Sequence, residues 1–278
     1  MAEQPVIGLG EILESRRRQI ARARQLVPLE TLKRIAQERD RTSRDFARAI
    51  SGPGLRVIAE MKRASPTRGL ICRNYRRREI ARSYEAAGAA AISVLTEELY
   101  FRGSLDDLKV VRGSVKLPVL RKDFILDPYQ MHESAAAGAD AALLIVAALG
   151  DRDLRALIGL AEELQLAALV EVHTEQEVAR AVDAGARIIG INNRNLKTMA
   201  VRIETSLELR KKIPADCLAV AESGIKTAED LRRLKDAGFN AALIGERLMS
   251  AQDPGGELGR MLEAMISAAA PGKGGEQR

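Results

Sequence analysis

Arg56-Val-Ile-Ala-Glu-Met-Lys-Arg-Ala-Ser-Pro-Thr-Arg-Gly69 begins as an apolar run and ends as a polar loop closed by glycine. Side chains alternate along a strand, so Ile58, Glu60 and Lys62 share one face and Val57, Ala59 and Met61 the other. An acid and an ammonium two residues apart, projecting beyond an apolar strand, read as a polar pocket floored by a core. An edge-strand ion pair is the plainer alternative and is worth little. Recurrence downstream decides between them.

The pattern recurs. Short runs rich in Val, Ile, Leu and Ala fall at 56–60, 90–95, 118–122, 141–146, 167–172, 187–192, 217–222 and 241–245. They return every ~20–36 residues, the period of a strand–helix unit. They are apolar on both faces, as parallel strands buried between helices should be. Ala87-Gly-Ala89, Ala137-Gly-Ala139, Ala184-Gly-Ala186 and Ala237-Gly-Phe239 precede four of them, and each glycine suits a left-handed helix cap. Eight such units predict an α/β chain folded as a closed (β/α)8 TIM barrel over residues 55–270. A doubly wound open sheet is the runner-up. It usually carries a Gly-rich turn after its first strand, where this chain has Lys62-Arg-Ala-Ser-Pro66.

Outside the barrel, apolar residues at helical spacing predict helices over 9–24, 29–37 and 44–50. Residues 1–54 thus read as a helical extension packed on the barrel, over or beside its mouth, within a single domain. Residues 271–278 read as a flexible tail, because they are glycine-rich and lack an apolar anchor. The polar loop 63–74 reads as a lid that orders over substrate.

Hydrophobic residues make up 46% of the 278 and charged residues 29%, which fits a globular chain with a sizeable core. No apolar run has signal-peptide or membrane-spanning length, so neither secretion nor a membrane is expected. Cys72 and Cys217 have no paired or metal-type spacing and fit a reduced, cytoplasmic setting. The formal net charge of +6 invites a nucleic-acid reading. Yet Arg16-Arg-Arg18, Arg76-Arg-Arg78 and Arg232-Arg233 are scattered among acids and read as solvated helix faces. No nucleic-acid partner is expected, and the positive balance instead suits steering of a small anion. No His/Cys/Asp cluster has metal-ligand spacing, and no metal is expected.

In a barrel the active site lies at the C-terminal ends of the strands. The first run ends in Glu60 and Lys62, and the second leads into Thr96-Glu-Glu-Leu-Tyr-Phe101. The third ends Arg121-Lys-Asp-Phe124, the fifth Glu171-Val-His173 and the sixth Asn192-Asn-Arg194. The seventh ends Glu222-Ser-Gly224 and the eighth Gly245-Glu-Arg247. Lys62, Lys122 and Arg194 suit an anionic substrate or proton transfer. Glu60, Glu171 and Glu222 are carboxylates close enough around a mouth to couple. Ser223-Gly224 and Gly245-Glu246 occupy the loops where such barrels bind phosphate. Tyr100, Phe101 and Phe124 are either ordinary loop packing or an apolar slot for a flat ring. His132 reads as a partly exposed helix residue. His173 reads as a support for the site or its loop rather than as a base.

Seven ordered pieces resemble the indole-3-glycerol-phosphate synthase family, carboxy-lyases of tryptophan biosynthesis. They are Ile58-Ala-Glu-Met-Lys-Arg-Ala-Ser-Pro66, Leu95-Thr-Glu-Glu-Leu-Tyr-Phe-Arg-Gly-Ser104, Leu120-Arg-Lys-Asp-Phe-Ile125, Leu169-Val-Glu-Val-His173, Ile189-Gly-Ile-Asn-Asn-Arg-Asn-Leu-Lys-Thr198, Ala221-Glu-Ser-Gly-Ile225 and Ile244-Gly-Glu246. The likeness runs from about residue 9 to 268 and includes Arg44-Asp-Phe46. It implies ring closure, decarboxylation and dehydration of 1-(2-carboxyphenylamino)-1-deoxyribulose 5-phosphate, with no cofactor. It also implies roles: Lys122 as general acid, Glu171 as its acid/base partner and Lys62 on the substrate carboxylate. Glu60 and Asn192 would position hydroxyls and lysines, and Arg194 and Glu222 would complete the polar network. Phe101 and Phe124 would hold the anthranilate ring, and Ser65, Ser223, Gly224, Gly245 and Glu246 would surround the phosphate. Arg247 departs from the small residue many relatives carry, which bears on the side-chain part of that phosphate site. A Schiff-base aldolase, which also uses a strand-end lysine, is the rival enzyme reading. Whether the chain is a monomer or contacts other tryptophan-pathway enzymes is left open.

Overall fold

The structure, a computed structural model, describes residues 8–38, 44–196 and 198–267. The expected tail at 271–278 lies outside the described residues. Three helices come first: α1 (Leu9–Leu26), α2 (Leu29–Glu38) and α3 (Phe46–Ile50). Eight parallel strands follow: β1 (Arg56–Met61), β2 (Ala91–Leu95), β3 (Val119–Lys122), β4 (Ala141–Ile145), β5 (Ala167–Val172), β6 (Ile188–Asn192), β7 (Leu218–Glu222) and β8 (Ala241–Ile244). Each pairs with the next, and β1 pairs with both β2 and β8, so the sheet closes. The intervening and following helices include α4 (Arg77–Ala86), α5 (Leu105–Arg112), α6 (Pro128–Ala136), α7 (Asp151–Glu163), α8 (Glu175–Asp183), α9 (Glu204–Leu209), α10 (Ala228–Asp236), α11 (Glu246–Met249) and α12 (Pro254–Ser267). The chain is a (β/α)8 TIM barrel.

Strand alternation sorts the apolar residues into two layers. Ile58, Leu120, Leu143, Leu169, Ile188 and Leu243 pack together inside the barrel. Val57, Ala59 and Met61 pack outward in the layer between strands and helices. Glu60 follows Ile58 inward, so the apolar interior forms the floor beneath the polar mouth. Local chemistry punctuates the helices. Asp127 caps α6, which has proline in its first turn, and Thr227 with Asp230 forms a capping box on α10. Gly88, Gly138, Gly185 and Gly238 follow helices with φ between 80° and 91°, a region costly for a side-chain-bearing residue.

The helical extension divides between the two ends of the barrel. Phe46 and Ile50 of α3 are buried and join the interior cluster beside Ala91, Ala141 and Ala241, near the starts of their strands. Those small residues leave room for α3 to close the end opposite the mouth. The expectation that all three helices lie over or beside the mouth therefore fails for α3. The first turn of α1 does reach the mouth, where Leu9 and Ile12 line its cleft. Helix α2 packs on α6, where its Leu32 and Ile20 of α1 cluster with Tyr129.

Arg16 is a second departure. It is buried, not part of a solvated face, and its guanidinium donates to Asp123 at 2.6 Å. Arg121, fully buried behind β3, donates to the same Asp123 oxygen at 2.9 Å and to Glu133 at 2.7 Å. Thr96 donates to that oxygen as well. Burial works against ionising Asp123, but Arg16 and Arg121 overcome it and hold the carboxyl below its usual range. The cluster ties α1 to the end of β3, directly beside Lys122 and Phe124.

The loop after β1 contains a small antiparallel hairpin, Ala64–Ser65 against Gly69–Leu70, which reads as plain loop in the sequence. Two-residue arms are too short to show a period. The turn closes where Ser65 Oγ accepts from the Arg68 backbone N–H at 3.2 Å. Ala64 N–H donates to the Phe101 carbonyl at 3.2 Å, joining this hairpin to the loop after β2.

Asp123→Ala leaves buried Arg16 without its carboxylate and Arg121 with Glu133 alone, and the expected cost is about 3–5 kcal/mol in a urea unfolding titration. A loss well under about 1 kcal/mol would show that the cluster does not hold α1 to the barrel.

Candidate active site

The register of the barrel brings the last inward-facing residues to one level. Glu171 lies across from Gly190, Asn192 across from Glu222, and Lys122 across from Leu95. Lys122 Nζ stands 2.8 Å from Glu171 Oε2 and 3.0 Å from Glu222 Oε2. Lys62 Nζ stands 2.8 Å from Glu60 Oε1. Asn192 Nδ2 donates to Glu171 Oε1 at 3.1 Å, and its own Oδ1 accepts from the Arg194 backbone at 3.0 Å. Two glycines make the room. A side chain at Gly190 would collide with the Glu222 carboxylate, and one at Gly245 with Glu60.

Burial and charge set the protonation states. Burial disfavours the Lys122 ammonium, but Glu171, Glu222 and Glu60 outweigh it and raise its pKa above the usual lysine value. Burial also disfavours ionised Glu171, but Lys122 and then His173 overcome this and hold it below its usual range. Glu222 goes the other way. Burial raises it, Lys122 only partly offsets that, and the negative charge of Glu171 raises it further, to about 7. Three carboxyls therefore share one mouth, and the Glu222 carboxyl holds its proton up to near neutral pH.

The rim carries the remaining groups. Phe101 and Phe124 face each other with ring centroids 6.1 Å apart and planes tilted by 43°. Buried Glu97 accepts from the backbone N–H groups of Leu99, Tyr100 and Phe101, which fixes the loop that carries Phe101. Tyr100 does not line the slot; its hydroxyl donates to Glu11 of α1 at 3.2 Å. Ser223 and Gly224 turn away from β7 with φ of 65° and 76°, and Gly224 leaves no space for a side chain beside Val201. Glu246 stands 3.5 Å from Arg68 and 3.7 Å from Arg194. Arg247 is drawn onto Glu257 of α12 at 2.7 Å.

The cleft measures about 880 Å³, and every residue singled out in the sequence as catalytic or substrate-binding lines it: Lys62, Ser65, Arg194 and Glu246 at its rim no less than Glu60 and Lys122 deeper in. Its wall also includes residues the sequence reading missed. Leu9 and Ile12 come from α1, and Met199 and Val201 from the loop after β6. Leu9 and Ile12 were absorbed by the helical period of 9–24, and Met199 and Val201 are apolar residues with no period, so neither pair carried a sign of a site. Glu177 was missed too, although Thr174-Glu-Gln-Glu177 is a helix-start signature. Among the described residues, no group of three His, Cys, Asp or Glu side chains is arranged to hold a metal ion.

A barrel whose mouth gathers buried acids around a lysine, beside aromatic rings and a basic rim, belongs to the enzymes that move protons on an anionic substrate. The particular family follows from comparison. The chain belongs to the indole-3-glycerol phosphate synthase family, whose sequence model matches residues 9–261. The indole-3-glycerol phosphate synthase of Lactiplantibacillus plantarum is 52% identical over 234 residues, covering 83% of this chain and 90% of that protein. The Polaromonas sp. synthase is 47% identical over 257 residues, covering 91% and 97%. Among solved structures, the 3-hexulose-6-phosphate synthase of Salmonella typhimurium matches with a TM-score of 0.62 at 14% identity, covering 76% of this chain and 99% of that one. The thiamine phosphate pyrophosphorylase of Pyrococcus furiosus matches with 0.59 at 16%, covering 78% and 98%. These two likenesses concern the fold alone.

The raised Glu222 makes a prediction about stability. Between the usual carboxyl value of 4.5 and about 7, the folded chain holds a proton that the unfolded chain has released. Stability from this group therefore falls as pH rises through that window. Glu222→Gln removes the penalty and leaves Lys122 its Glu171 partner. At roughly pH 8 the variant is expected to be more stable than wild type, on the order of 1–3 kcal/mol, with the gain shrinking toward pH 4.5. Denaturant titrations at both pH values check this; a variant no more stable at the higher pH would contradict it.

Proposed function

We propose that this chain performs the reaction its family is named for. It converts 1-(2-carboxyphenylamino)-1-deoxyribulose 5-phosphate to indole-3-glycerol phosphate, carbon dioxide and water. The observation that carries the proposal is Lys122 held between Glu171 and Glu222 at the floor of a cleft whose rim bears an aromatic pair and arginines.

The reaction makes three demands. A carbon–carbon bond forms between the ring carbon bearing the carboxylate and the substrate ketone, whose oxygen becomes an alkoxide and takes a proton. Carbon dioxide then leaves, and its bonding electrons restore the aromatic ring. Finally the hydroxyl at the new ring carbon leaves as water, and a proton is lost to form the indole. In this reading Lys122 is the acid for the first step. Its neighbouring carboxylates keep it charged before substrate enters, and the alkoxide is a much stronger base than the amine. Glu171, ionised and beside Lys122, takes up and returns protons in the later steps. Lys62 binds the substrate carboxylate and is aimed by Glu60. Asn192 orients Glu171. Phe101 and Phe124 hold the anthranilate ring, and Arg194 and Glu222 complete the polar network.

The phosphate is read as sitting among Ser65, Ser223, Gly224, Gly245 and Glu246. Arg68 is near enough to join them, while Arg247 is engaged elsewhere by Glu257. The net change is loss of carbon dioxide and water without oxidation or reduction, so the chemistry calls for no electron carrier. No described helix is long and apolar enough to cross a membrane, and the proposed setting is the cytoplasm.

Purified protein given the named substrate is expected to generate indole fluorescence. No fluorescence from folded protein, or a borohydride-trapped substrate adduct on Lys122, would favour an aldolase-type reaction instead.

The two lysines separate by kinetics. Lys122→Ala is expected to lower kcat by about 10²–10⁴-fold, the usual contribution of a general acid. Lys62→Ala is expected to raise KM as well as lower kcat, because a carboxylate partner is lost. Arginine is expected to rescue position 62 in part and position 122 poorly, since a guanidinium barely releases a proton near neutral pH. Near-full kcat in Lys122→Arg, with unchanged KM in Lys62→Ala, would overturn the roles.

A further inference from the structure

Glu171 and Glu222 present Lys122 with nearly equal contacts, 2.8 and 3.0 Å from its ammonium. Both carboxyls are almost wholly buried. What distinguishes them is the second oxygen of each. Glu222 Oε1 is buried without a hydrogen-bond partner. Glu171 Oε1 receives Asn192 Nδ2 at 3.1 Å and has His173 Nε2 beside it at 3.4 Å, an ion-pair contact and not a hydrogen bond.

The His173 ring is itself held from behind. Its backbone N–H donates to Glu177 Oε2 at 2.7 Å, and its Nδ1 lies 3.2 Å from the same oxygen. Glu177 is the third residue of α8, and its own backbone N–H is capped by the Thr174 hydroxyl. The turn from β5 into α8 thus places the ring between two carboxylates, Glu177 from α8 and Glu171 from β5. Among the described residues, Glu171 and Glu177 are the charged groups that act on the ring. Glu171 is faced by Lys122 and His173, and Glu222 by Lys122, Glu171 and Glu60.

The geometry points to His173, held by Glu177, as the group that decides which carboxyl facing Lys122 carries the charge. It makes Glu171 the ionised member and leaves the proton to Glu222. An imidazole between two carboxylates is favoured in its doubly protonated, cationic form, and a cation beside Glu171 stabilises the carboxylate there. The cationic ring is consistent with its pKa: burial lowers it, and the adjacent carboxylates of Glu171 and Glu177 raise it to about 9. Two like charges on one ammonium cannot both persist cheaply in a buried site, so ionising Glu171 presses the proton onto Glu222. His173 does not reach the reacting atoms in this account. It is a positioning residue that acts through Glu171.

The inference rests on the reading of Glu171 as the base only for its consequence in turnover. Its direct test needs no turnover: NMR titration of protein carrying isotope-labelled glutamate carboxyls. Resonances are assigned by the signal lost in Glu171→Gln and in Glu222→Gln. In wild type, Glu222 is expected to titrate near neutral pH while Glu171 stays ionised. In His173→Gln the Glu171 midpoint is expected to rise and the Glu222 midpoint to fall, each by about one pH unit. The acid limb of kcat/KM should move up with Glu171. Glu177→Gln keeps the ring and removes its rear carboxylate, and a smaller shift in the same direction is expected. Unchanged midpoints in both variants would overturn the proposal, as would a wild-type protein in which Glu222 is the ionised member. If the midpoints move but the acid limb does not, the role of His173 stands and Glu171 is not the base.

Discussion

A buried ammonium with three carboxyls around it is the constraint on which the rest of this structure depends. Taking such charges out of water is costly unless each finds a close partner. The barrel supplies the partners through register, since Glu60, Lys122, Glu171, Asn192 and Glu222 are the last inward residues of five different strands. Slipping any strand by one residue would turn its polar group into the apolar layer. Gly190 and Gly245 complete the fit, because the carboxylates of Glu222 and Glu60 fill the space their side chains would take. The apolar interior under this ring and α3 plugging the far end keep water from entering the barrel from below.

The same logic governs the outside of the mouth. Lys122 faces in, so its neighbour Arg121 faces out, where it is buried against Asp123, Glu133 and Ser134. Asp123 then receives Arg16 from α1. One short segment, Arg121 to Phe124, thus carries the central lysine, the anchor for the N-terminal helix and half of the aromatic slot. Changes to α1 are transmitted to the cleft through this segment as well as through Leu9 and Ile12.

Much of this was legible in the sequence because it depends on period. Each of the eight strands lies within or one residue beyond the run that predicted it, and the glycines of the Ala-Gly-Ala tripeptides adopt the left-handed conformation read for them. The polar strand ends converge because a closed parallel barrel has only one C-terminal face. Features that depend on long-range contact were not legible. Arg16 sits in a run of three arginines that looks solvated, and only Asp123, 107 residues away, reveals it as buried. The placement of α3 depends on small residues scattered over several strands. The role of His173 becomes visible only when Glu177 and the bare oxygen of Glu222 are seen together. For Tyr100 the sequence left loop packing and the aromatic slot both open, and only Glu11, which draws its hydroxyl to α1, decides for the first.

The central claim is that the substrate's reacting carbonyl meets Lys122 while its ring and phosphate occupy opposite sides of the mouth. The most direct measurement is a crystal structure with a reduced substrate analogue, in which the ketone is a secondary alcohol and cannot cyclise. The account predicts that this hydroxyl lies within hydrogen-bonding distance of Lys122 Nζ. It places the aromatic ring against Phe101 and Phe124, and the phosphate at Ser223-Gly224 and Gly245. An analogue bound in the cleft with its hydroxyl turned away from Lys122, or with ring and phosphate exchanged, would contradict it.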